Sequence, residues 1–125
     1  MKMEPAKSFE AEQLFVDLDK PSLQGLSYVL RHKELWPEGF EWNYRDCRRC
    51  AMGLAVELWQ EVKWHWEDGE RNNITSPEIM AKAFPIEKIA AHEIFCGAAY
   101  VHNIYMGKVR PAMVADDIDA YLARQ

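Results

Sequence analysis

The amino-acid sequence predicts an all-α fold, a compact single-domain bundle of five or six helices with central helices at about 46–62 and 86–101. Three observations lead there. Apolar residues recur at helical spacing along most of the chain, whereas strand-like alternation is confined to Phe40, Trp42 and Tyr44, a run with no second strand to pair with. Pro, Gly and paired Asn residues punctuate the chain at intervals suited to short helices. At 125 residues, 49% hydrophobic and 28% charged, the chain has the length and composition to bury a core without disulfide or metal staples.

Taken in order, residues 1–8 read as a frayed terminus, followed by a short helix from Phe9 to Val16 with Ser8 as its cap. Asp19–Ser22 is a break. The stretch 22–32 is amphipathic, with Leu23, Leu26, Val29 and Leu30 on one face. It ends before Trp36, because Pro37 restricts the residue in front of it. An ordered loop rich in aromatics then leads into the helix at 46–62. There Cys47, Cys50, Ala51, Leu54, Ala55, Leu58 and Val62 share one arc. Gly53 in that helix costs about 1 kcal/mol against Ala, so a neighbouring backbone is expected to approach it closely. Glu61 would intrude on the apolar arc and marks the helix end. Asp68-Gly69 and Asn72-Asn73 form a polar turn, and Ser76 with Pro77 starts a short helix at 77–84. The segment 86–101 is apolar nearly all round, the pattern of a buried helix. Pro111 opens the last helix, with Val114, Ala115, Ile118, Tyr121 and Leu122 inward and Asp116, Asp117 and Asp119 outward. No repeat, low-complexity tract or linker divides residues 1–125.

Charge and hydropathy narrow the functional classes. A net charge of −5 disfavours nucleic acid and anionic membranes as partners, and the densest basic cluster is only Arg45, Arg48 and Arg49. No apolar run reaches the ~20 residues of a membrane span, and the first residues lack the apolar stretch of a signal peptide. Three cysteines, an odd number, suit a reducing compartment, and the cytoplasm is the expected location.

Four constellations could carry chemistry. Cys47 and Cys50 form a C-x-x-C pair flanking Arg48 and Arg49; in a first helical turn the macrodipole and the arginines would favour thiolate, the setting of a redox pair. The thioredoxin-like alternative requires a βαβ context that the pattern does not provide. Cys47, Cys50, His92 and Cys96 could supply four zinc ligands, since His92 and Cys96 share a helical face. Against this, the two halves are separated by no recognised finger spacing, and no cofactor is the favoured reading. Cys47 or Cys96 could act as a nucleophile with His65, His92 or His102 as base, without a caspase- or papain-type motif around either. The carboxylates of Asp116, Asp117 and Asp119 could attract a divalent cation, but they lack EF-hand spacing and also suit a solvated helix face.

All five tryptophans fall between residues 36 and 66. Trp36, Trp42, Trp59, Trp64 and Trp66 together carry more aromatic surface than one helical face can hide, and Trp64 and Trp66 are the expected surplus. The sequence therefore points to a non-enzymatic binding or regulatory module that engages a protein partner, a second copy of itself included, through this region. A thiol-redox or zinc-dependent protein using Cys47 and Cys50 is the alternative.

Overall fold

Side-chain caps at Ser22 and Cys50 and rings wedged at Trp59 and Tyr44 set several of the element limits among the described residues. The computed structural model describes residues 16–125, and within them every regular element is helical. The expected frayed stretch 1–8 and nearly all of the Phe9–Val16 helix lie outside the described residues. Seven α-helices are present among the described residues: α1 Leu23–Leu30, α2 Ala51–Leu58, α3 Gln60–Arg71, α4 Ser76–Ala83, α5 Lys88–Phe95, α6 Ala98–Val101 and α7 Pro111–Ala123. Short 3-10 turns at Lys33–Leu35 and Met106–Lys108 complete the set.

Ser22 caps α1 by accepting a hydrogen bond from the Gly25 amide at 2.9 Å. The inward residues Leu23, Leu26, Val29 and Leu30 are all buried. They lie against α7, whose Val114, Ala115 and Ile118 are likewise buried. One polar network sits at this interface. Ser27, only 4% exposed, donates to Asp119 Oδ1 at 2.7 Å and accepts from Arg31 Nη1 at 2.8 Å. Arg31 also pairs with Asp119 Oδ2 at 2.8 Å and with Asp116. Burial opposes the charge on the guanidinium, but the two carboxylates outweigh it and hold the Arg31 pKa above its ordinary value.

The expected 46–62 helix is present in part, and its limits differ at both ends. Residues 46–50 form turns, and α2 starts at Ala51 with Cys50 as its N-cap. It stops at Trp59, an extended residue (φ −130°, ψ 124°) shared by two helices. The Trp59 amide donates to Ala55 O at 3.0 Å and its carbonyl accepts from Lys63 at 3.0 Å, so it closes α2 and opens α3. The ring meets Phe84 edge-on at 6.0 Å, and the indole N–H donates to Leu18 O at 2.8 Å. α3 then runs to Arg71, straight through the expected turn at Asp68-Gly69, because Gly69 lies flat beneath Ile79 of α4. Asn72-Asn73 does turn the chain, Asn73 taking a positive φ of 59°. Thr75 rather than Ser76 holds the cap position of α4, with Pro77 in the first turn.

The 86–101 segment is also interrupted. α5 ends at Phe95, and α6 begins at Ala98. The phenol of Tyr44 occupies the gap, donating to Phe95 O and accepting from Ala98 N, each at 3.3 Å. One side of the segment is buried, through Ala90, Ala91, Ile94, Phe95 and Ala98, while Ile89, Tyr100 and Val101 stand in solvent. The expectation of all-round burial is thereby corrected. Asp117 departs from the expected outer face as well: its Oδ1 lies 3.1 Å from His102 Nε2.

Candidate functional site

The turn that carries the C-x-x-C pair is held by hydrogen bonds among Asn43, Asp46, Arg48 and Arg49. Asn43 N donates to Arg49 O at 2.8 Å, Arg49 N to Asp46 O at 2.8 Å, and Arg48 N to Asp46 Oδ1 at 2.9 Å. Arg48 and Arg49 point outward toward carboxylates, Arg48 to Glu70 at 3.5 Å and Arg49 to Glu41 and Asp46 at 3.7 and 3.8 Å. Two of the three cations in the densest basic cluster are thus engaged within the chain.

Neither cysteine occupies a first helical turn. Cys47 is exposed in the turn preceding α2 rather than within the helix. Cys50, 1% exposed, uses its sulfur as the helix cap: Sγ accepts from Met52 N at 3.4 Å and donates to Cys47 O at 3.5 Å. Burial pushes its pKa up to about 11, which disfavours a nucleophilic thiolate near neutrality. Cys96, half-buried at the end of α5, is also held above the ordinary thiol range by burial.

The three free sulfurs nevertheless converge. Cys47, Cys50 and Cys96 line one cavity of about 160 Å³, walled by Tyr44, Arg45, Met52, Ser76, Phe95 and Met106. None of the expected histidine partners lines it. His92 projects into solvent, His65 packs edge-on against Trp64 at 5.1 Å, and His102 is tied to Asp117. The proposed four-ligand grouping of Cys47, Cys50, His92 and Cys96 is not assembled, and among the described residues no three Cys, His, Asp or Glu side chains stand close enough to hold a metal. The carboxylates of Asp116 and Asp119 face Arg31. Asp117 Oδ2 is buried without a hydrogen-bond partner among the described residues, and burial raises the pKa of this carboxyl against the opposing effect of His102.

The tryptophans are distributed differently from the expected surface. Trp59 and Trp66 are 4% and 6% exposed, which removes both from a contact face. Trp66 turns inward because α3 continues past it, aligning Val62, Trp66 and Gly69 on the buried side. Trp36 and Trp42 are half-buried, and their indole N–H groups donate to Val29 O and Val109 O, each at 2.8 Å. Only Trp64 of the five is openly exposed, at 56%.

The larger apolar surface lies elsewhere. Tyr100 is 90% exposed, Tyr105 79%, and Val101 and Met106 adjoin them in sequence. Tyr100 and Tyr105 flank an open groove of about 950 Å³ together with Ala99, Asn103, Ile104 and Lys108. Asn103 makes the bend at its floor with a positive φ of 54°. Lys108 is the charged residue of the groove lining, and the chain segment that forms the groove has no Asp or Glu between Glu93 and Asp116 but carries Arg110 as well. Among the described residues no carboxylate pairs with either cation. Sequence reasoning missed this surface because it assigned 86–101 to the interior. Its signal was the surplus of Tyr100, Val101, Tyr105 and Met106 over what one short helical face can bury.

Comparison of the chain with protein-family models, with curated proteins and with solved structures finds no match in any of the three.

Proposed function

We propose that the protein is a non-enzymatic docking module, and that its contact surface is the Tyr100–Tyr105 groove rather than the tryptophan-rich region at 36–66. The observation that carries this reading is the pair of tyrosines held almost fully in solvent beside an open groove. Rigid aromatic side chains left exposed beside apolar neighbours are the usual anchors of protein contacts. The burial or tethering of four tryptophans leaves Trp64 as an isolated exposed ring, which is ordinary for a folded surface.

The occupant proposed is an acidic segment of a partner protein carrying apolar side chains. Charge complementarity supports this choice, since the groove lies in the chain's longest carboxylate-free stretch and carries Lys108 with Arg110 nearby. Symmetric pairing of two copies through the same groove would bring these cations toward one another, which works against a homodimer at this face.

A random-peptide display library selected on the immobilised wild-type chain provides the test. Peptides combining Asp or Glu with aromatic or aliphatic residues should be enriched, with binding lost in Tyr100→Ser/Tyr105→Ser and weakened by added salt. Enrichment that persists in the double variant would overturn the site. Sedimentation equilibrium showing a dimer abolished by the same substitutions would replace the acidic partner with a second copy.

A further inference from the structure

A C-x-x-C pair invites the assumption that any disulfide here joins its two members. The geometry points to a different pairing: we propose that Cys47 and Cys96 form a reversible disulfide on exposure to hydrogen peroxide, with Cys47 as the reacting sulfur and Cys96 as the resolving one. This inference is independent of the docking reading.

The argument begins with access. Cys47 is the exposed cysteine of the three and meets a soluble oxidant first. The Cys47 thiol gives up its proton as its sulfur attacks one peroxide oxygen; an S–O bond forms, the O–O bond breaks, and the departing hydroxide takes up that proton as water, leaving a sulfenic acid. A second thiol must then attack that sulfur. Cys50 is poorly placed for this, since its Sγ bonds to Met52 N and to the Cys47 carbonyl, caps α2 and is 1% exposed. Recruiting it would remove the cap from the first turn of a helix.

Cys96 has no such commitment. Its thiol makes no hydrogen bond among the described residues, it is half-buried, and it faces the same cavity as Cys47. Cys96 is the C-cap of α5, its amide bonded to His92 O at 2.9 Å, and the helical ladder stops at this residue, beside the Tyr44 phenol. In the second step the Cys96 thiol loses its proton, an S–S bond to Cys47 forms, the S–O bond breaks, and the departing hydroxide takes up a proton as water. Two thiols and one peroxide thus yield one disulfide and two waters.

Peptide mapping of the reduced full-length chain after treatment with hydrogen peroxide at low protein concentration tests this directly. Trypsin separates Cys47 from Cys50 by cutting at Arg48 and Arg49, so the two pairings give different cross-linked peptides. The expected product is a monomer lighter by two hydrogens, with the Cys47 and Cys96 peptides joined and Cys50 alkylated only after unfolding. Cys96→Ala should stop at a sulfenic acid on Cys47 that dimedone captures. Cys50→Ser, which retains a capping oxygen, should still give the 47–96 cross-link. A 47–50 cross-link in the wild type would overturn the pairing. So would a wild-type Cys47 that proceeds to sulfinic acid while Cys96 stays free, or a disulfide found only between chains.

Discussion

Replacing Gly53 with alanine sets helix propensity against a backbone contact, and the structure decides which prevails. Gly53 lies in the first turn of α2, where alanine would be favoured by about 1 kcal/mol on propensity alone. A Cβ at this position would fall on the carbonyl carbon and oxygen of Arg48 and come within 2.8 Å of its Cα. Those atoms cannot swing aside as a side chain does. They belong to the turn fixed by Asn43, Asp46 and Arg49, whose hydrogen bonds contribute about 1 kcal/mol each. Overpacking of this kind costs about 1–3 kcal/mol, and displacement of the turn adds at least one hydrogen bond to that. After the propensity gain, a net loss of about 1–3 kcal/mol is expected, an appreciable share of the stability of a small protein. Urea unfolding should show a lower midpoint with an unchanged slope. Gly69→Ala is the comparison: its Cβ would meet Cγ1 and Cδ1 of the Ile79 side chain rather than backbone atoms, so its loss should be smaller. A Gly53→Ala variant as stable as wild type, or stabilised by the propensity increment, would refute the close approach of the two segments.

Leu54 is fully buried on α2, so Leu54→Ala should cost about 2–5 kcal/mol through the cavity it leaves, read as a fall in the urea midpoint. Stability should also decline on the alkaline side. Burial pushes the Tyr44 pKa from 10.0 to about 12 and the Cys50 pKa from 9.0 to about 11, so the folded chain keeps protons that the unfolded chain releases. Their contributions are complete below the unfolded values and are lost as pH rises through those two windows, about 2–3 kcal/mol for each group. Tyr44→Phe should be less stable at neutral pH for want of its two hydrogen bonds, yet lose less between pH 10 and 12. Parallel wild-type and variant curves across that range would contradict the assignment.

Where local chemistry governs, the sequence is a good guide. Pro111 at the start of α7, the buried stripe of α1 and the demand for a close neighbour at Gly53 are visible in it, as is the α7 stripe through Val114, Ala115 and Ile118, although Leu122, expected inward, is 37% exposed. The order of exposure, Cys47 before Cys50, is likewise readable from their positions relative to the run Ala51–Leu54. What escaped is what distant residues impose. Glu61 announces an end close to where α2 stops, but not that a second helix restarts at Gln60 around a Trp59 whose ring reaches Phe84 and Leu18. Asp68-Gly69 has turn composition but continues a helix because Ile79 requires a glycine opposite it. That continuation carries Trp66 into the core and removes it from the expected contact surface. The α5–α6 interruption depends on a phenol from Tyr44, far away in sequence, and apolar periodicity cannot register it.

The packing of α1 on α7 has a consequence for how the protein is made. Ser27 contacts the Ala115 carbonyl across a sequence separation of 88 residues. At translation rates of about 5–20 residues per second, the partner strip emerges roughly 4–18 s after α1. During that interval Leu26, Val29 and Leu30 have no α7 to cover them, while α2 through α5 already possess their own neighbours. A nascent chain stalled before Val114 would therefore present α1 as its sticky segment, the place where a ribosome-associated chaperone would find purchase.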